Sequence, residues 1–128
     1  MSMRKKYGGV QKMEYIRIEN SWQERMNQGD IDGALQSIQL QIATNLIEVH
    51  NRFCTTKLTS PVDVFGYETY GKGCSENFVN DMDKFKRINY KFNEASHGLD
   101  FDSVEAREAV LGNFQDIEKT LMEEMSKI

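Results

Sequence analysis

The sequence predicts an all-α protein resembling a four-helix bundle, with two antiparallel helical hairpins joined by a long ordered loop at about residues 55–74. Three observations point that way. Apolar residues recur at steps of three and four over four separate stretches, the period of a helix with one buried face. One proline and nine glycines among 128 residues are too few turn formers for an all-β chain, where they recur every ~8–12 positions. With 39% apolar and 28% charged residues, the composition is that of a globular domain with room for one core.

Residues 1–10 are expected to form a flexible basic arm, because Gly8 and Gly9 offer nothing to bury, and residues 11–128 a single helical domain. The first helix is expected from Gln11 to Asn27, with Met13, Ile16, Trp22 and Met26 facing inward. Gln28-Gly29-Asp30 interrupts it, Gly29 suiting a left-handed helix end and Asp30 the cap of the next helix. Ile31, Leu35, Ile38, Ile42, Leu46, Val49 and Phe53 then form one apolar stripe. That second helix is about 24 residues and near 36 Å long.

The third helix is expected to begin at Ser75 as an N-cap with Glu76 in its first turn, and to carry Phe78, Met82, Phe85, Asn89 and Phe92 inward. It stops at His97-Gly98, with Leu99 placed for a C-terminal hydrophobic contact. The fourth opens on Asp102 with Glu105 three residues on, a capping-box arrangement. Val110, Phe114, Ile117, Leu121, Met125 and Ile128 continue it at near-heptad spacing.

The turn Gln28-Gly29-Asp30-Ile31-Asp32-Gly33-Ala34-Leu35 resembles the hairpin turn of tetratricopeptide repeats, and a similar turn occurs in small helical export chaperones of the flagellar type. No second copy stands at the ~34-residue offset of a repeat array. The resemblance implies a helix–turn–helix here and carries no function.

Sixteen basic against twenty acidic side chains leave a net charge of -4, which disfavours wholesale phosphate binding. The basic start is followed by no apolar run, and no apolar stretch exceeds three residues. A cytoplasmic chain with no membrane partner is therefore expected. Two cysteines are too few for a disulfide scaffold.

Candidate chemistry falls in four places. His50 and Cys54 stand one helical turn apart, and with Cys74 and His97 they make up all the cysteine and histidine of the chain. Two of each can close a tetrahedral zinc shell, so a metal-binding module is one alternative reading. The gaps of nineteen and twenty-two residues match no compact zinc motif, and ordinary core, loop, cap and helix-face roles account for the four without a metal. Gly66 to Lys72 has P-loop spacing, but Gly73 stands where the motif needs Ser or Thr, and no strand precedes it. Neither an oxyanion hole nor an orienting partner for a catalytic thiol is legible, so a non-enzyme without cofactor is expected.

The remaining two features concern binding. Phe65, Tyr67 and Tyr70 lie among Gly66, Gly71 and Gly73 in the long loop, an arrangement of aromatic anchors on a pliable backbone. They are expected to point outward, although the loop's Val62, Val64 and Phe65 can equally plug one end of the bundle. Lys84, Arg87 and Lys91 share one face of the third helix by their three-then-four spacing. The segment from Asp100 to Ile128 holds eight acids against three bases, so those charges either complement the basic stripe across the hairpin or help steer a partner. The leading expectation is a protein that binds another protein as an inhibitor, chaperone or adaptor, with Phe65, Tyr67, Tyr70, Lys84, Arg87 and Lys91 as its contact residues. A nucleic-acid-associated accessory role is the other alternative, and homodimerisation through the second or fourth helix a further possibility.

Overall fold

A computed structural model describes residues 13–19, 21–65, 69–97 and 103–128; the arm expected at residues 1–10 lies outside them. Four α-helices pack against each other: α1 (Trp22–Asn27), α2 (Ile31–Phe53), α3 (Val79–His97) and α4 (Val104–Ser126). The described residues form no strand, so the all-α bundle-like class holds.

The turn into α2 follows from its residues. Gly29 takes φ +77°, a left-handed value that costs glycine little, and the Asp30 carboxylate accepts from the Gly33 amide at 2.9 Å. Along α2, Leu35, Ile38, Ile42, Leu46, Val49 and Phe53 are buried, as their spacing predicts. They meet Met82, Phe85, Ile88 and Phe92 of α3 and Leu111, Phe114, Ile117, Leu121 and Met125 of α4 in one core. Side-chain pairs give the helix directions. Lys84 meets Glu124 and Gln39 meets Ser96, so α3 runs antiparallel to both α4 and α2. Asp32 meets Arg107 and Gln41 meets Glu118, so α2 and α4 run parallel.

Three expectations about the elements need correcting. Among the described residues the helix expected over 11–27 is confined to α1, and residues 13–18 run without regular structure. Their backbone groups bond to α2 instead of to each other: Asn45 accepts from the Ile16 amide at 2.7 Å and donates to the Ile16 carbonyl at 2.8 Å. Gln41 accepts from the Ile18 amide, and Met13 stays buried in the core. Ser75 precedes a 3-10 turn, Glu76–Phe78, rather than capping α3 directly, and its side chain makes no capping bond. The cap of α4 is Ser103, whose hydroxyl accepts from the Ala106 amide at 3.1 Å. Gly98, Leu99 and Asp102 lie outside the described residues.

The long connection is not an outward arc. Its segment Pro61–Phe65 forms a 3-10 turn packed on both α2 and α3. The Val64 carbonyl accepts from the side-chain amides of Asn89 at 2.7 Å and Asn93 at 2.9 Å, which ties the loop to the middle of α3.

Candidate functional site

The expected aromatic grip is the first placement to correct. Tyr70 is 3% exposed and donates its hydroxyl to the Leu46 carbonyl at 2.9 Å, with its ring 5.3 Å from that of His50. Burial pushes its phenol well above the usual range, so it remains a donor. It turns inward into the core, where the Leu46 carbonyl satisfies its hydroxyl. Phe65 stacks on Phe92 at 5.4 Å yet is 37% exposed, so it faces partly outward as expected. Tyr67 lies outside the described residues. Val64 plugs the core while Val62 is 72% exposed. The loop therefore acts mainly as a wedge.

The four metal candidates do not converge. His50 is buried, and both ring nitrogens are occupied: Nδ1 accepts from the Gly71 amide at 2.8 Å, and Nε2 lies 2.6 Å from the Thr56 carbonyl. Taken together these contacts select the neutral Nε2–H tautomer, and burial holds the imidazole below its usual range. Cys54 and Cys74 face each other, but His97 is the last residue of α3, whose 19 residues separate it from the Cys74 end by about 28 Å. No cluster of three or more metal-ligating side chains forms among the described residues.

A second polar cluster surrounds Glu118 of α4, which accepts from Tyr15 at 2.9 Å, Trp22 at 3.4 Å and Gln41. It anchors Tyr15 and Trp22 across the α2–α4 seam. All three donors come from the chain's own packing, so the carboxylate is a fastening.

The basic stripe, by contrast, falls on one open feature. Lys84, Arg87 and Lys91 line a groove of about 400 Å³ between α3 and α4. Ile88 and Ile117 form its floor, and Asp116, Thr120 and Glu124 its far wall. Tyr90, 52% exposed, stands beside the cations. A shallower hollow continues past Lys91 toward Glu94 and Asn113. Lys84 reaches Glu124 at 4.0 Å, and Lys127 reaches the same carboxylate at 3.1 Å. Charge thus complements across the hairpin at one end, while Arg87 and Lys91 have no carboxylate within ion-pair distance among the described residues. Neither histidine and neither cysteine lines this groove.

Sequence reasoning found the basic wall but not Tyr90, Asp116 or Thr120. The signal was present: in an antiparallel α3–α4 hairpin, pairing Lys84 with Glu124 sets Lys91 opposite Asp116. The apolar stripes of α2 and α4 pack in the intramolecular core. No helix is long and apolar enough among the described residues to cross a membrane. Compared with family models, curated proteins and solved structures, the chain matches none of them.

Proposed function

We propose that this chain is a non-enzymatic binding protein that takes an acidic amphipathic segment of another protein into the α3–α4 groove, and so masks that segment in the manner of an inhibitor, chaperone or adaptor. One observation carries the reading: three cations stand on one wall above an apolar floor, and two of them lack an ion-pair partner among the described residues. An occupant with apolar groups over Ile88 and Ile117 and carboxylates toward Arg87 and Lys91 meets both properties at once, as in helix-in-groove recognition. Steering by the rim charges raises the rate of encounter more than the final affinity. Asp116 and Glu124 on the far wall oppose a polyphosphate backbone, so the nucleic-acid alternative is the weaker one. The metal alternative has lost its geometry with His97.

The test uses the folded chain and a displayed library of amphipathic peptides with random flanking charges. Enrichment of acidic flanks is expected, with binding lost at least tenfold in an Arg87→Glu/Lys91→Glu variant whose helicity and Tm are unchanged. Enrichment without charge preference, or binding that survives the double reversal, would reject the groove as the contact surface.

A further inference from the structure

The two cysteines stand opposite each other where the chain leaves α2 and where it approaches α3. Cys54 is the C-cap of α2, and it pairs with Cys74 in an isolated antiparallel bridge. The flanking bonds run from the Thr55 amide to the Gly73 carbonyl at 3.0 Å and from the Ser75 amide to the Phe53 carbonyl at 3.4 Å. Cys54 and Cys74 exchange no backbone bonds with each other, so they occupy the non-hydrogen-bonded register, in which facing Cα atoms approach to about 4.5 Å. A disulfide needs Cα atoms roughly 4.4–6.8 Å apart. Both thiols are free and close enough to shift each other's acidity, and the Cys74 thiol donates to the Ser75 carbonyl at 3.4 Å.

The two differ in access. Cys54 is buried, whereas Cys74 is only half-buried and open to a small reagent. Burial pushes both thiols up, Cys54 to about 11; at Cys74 the Cys54 side chain and Lys86 pull the other way, while Asp83 and Asp81 add to the rise. Access sets the order: a reagent from solution meets Cys74 first, which leaves Cys54 as the resolving sulfur.

We propose that Cys54 and Cys74 form a reversible redox latch, closed by exchange with a low-molecular-weight disulfide, that locks the loop between α2 and α3 against the bundle. The Cys74 thiolate attacks one sulfur of the small disulfide, breaking its S–S bond and releasing one small thiol. Cys54, deprotonated, then attacks Cys74 Sγ and expels the second small thiol. The protein loses two protons and two electrons, and the small disulfide is reduced to two thiols. The nineteen residues between the cysteines, which include the wedge residues Val64 and Tyr70, become a covalent loop. Reduction by excess small thiol reopens it.

The experiment incubates the full chain with oxidised glutathione and follows intact mass, a peptide map and Tm. The expected product has lost two hydrogens, carries no glutathione and links Cys54 to Cys74 within one chain. Its Tm is expected to rise by about 5–10 °C, and proteolysis within residues 55–73 to slow about tenfold. A Cys54→Ala variant is expected to stop as the mixed disulfide on Cys74. Wild-type protein that keeps both thiols, accumulates a stable glutathione adduct, or links two chains would overturn the latch. The wild-type mass and map decide the matter even if the variant does not fold.

Discussion

His50 and Gly71 are joined by a hydrogen bond from the Gly71 amide to the imidazole Nδ1, 2.8 Å long and buried between α2 and the loop. The opposite ring nitrogen meets the Thr56 carbonyl at 2.6 Å, so one neutral ring ties down both ends of the connection. Protonation places an N–H against the Gly71 N–H and breaks that tie.

Stability is therefore expected to depend on this ring as the pH falls. Burial lowers the folded-state pKa of His50 below its usual 6.5, so the unfolded chain binds the proton more readily. The contribution is present above about pH 6.5 and is lost as the pH drops toward the folded pKa, by about 1.4 kcal/mol for each unit of pKa difference. Urea unfolding between pH 7.5 and 5.5 measures it, and a His50→Gln variant is expected to lose that portion of the slope. Equal slopes in both proteins would remove His50 from the account.

Tyr70→Phe is expected to cost about 1 kcal/mol through the lost bond to Leu46. Tyr70→Ala is expected to cost about 3–5 kcal/mol by leaving a cavity under the loop. Binding of a groove-selected peptide at a temperature where both variants remain folded should not change. A Tyr70→Phe variant with normal stability and lost binding would return the ring to the contact surface.

Asn45→Leu removes both bonds that hold Ile16. Two backbone groups lose their partners, which is expected to cost about 2 kcal/mol or more. Hydrogen exchange is the direct readout: the Ile16 and Ile18 amides should lose protection, while amides in the centres of α2 and α4 keep theirs. Uniform loss throughout would show that residues 13–19 do not open separately.

Gly71 has φ +80°, and a Cβ there meets the side chain of Lys86. Gly71→Ala is expected to destabilise by about 1–2 kcal/mol from the left-handed backbone, with a further contribution if Lys86 cannot move aside. Combining it with Lys86→Ala should recover the steric part and leave the backbone part. Chemical denaturation of the two single variants and the double variant separates the contributions.

Much of the fold was legible because helical order is local. The stripe from Leu35 to Phe53 names its own buried face, and Gly29-Asp30 names the turn before it. Residues 13–18 carried apolar spacing that fits a helix equally well, since nothing nearby reveals that Asn45, twenty-nine residues from Ile16, supplies both backbone partners. The candidate site was half legible for the same reason. Lys84, Arg87 and Lys91 share a face by local geometry, whereas the far wall of Asp116, Thr120 and Glu124 that makes that face a groove comes from α4.

By itself the sequence determined the course of the three long helices, which of their faces are buried, and that one face of α3 is basic, because these properties depend on residues three or four apart. Only the tertiary structure decided that Tyr70 points inward, that His97 is far from the Cys54–Cys74 pair, and that residues 13–18 lie on α2 without helical structure. Each of those outcomes depends on partners distant in the chain: Leu46 for Tyr70, the length of α3 for His97, and Asn45 and Gln41 for residues 13–18. Hydrogen bonding and packing across such separations carry no periodic mark in the sequence.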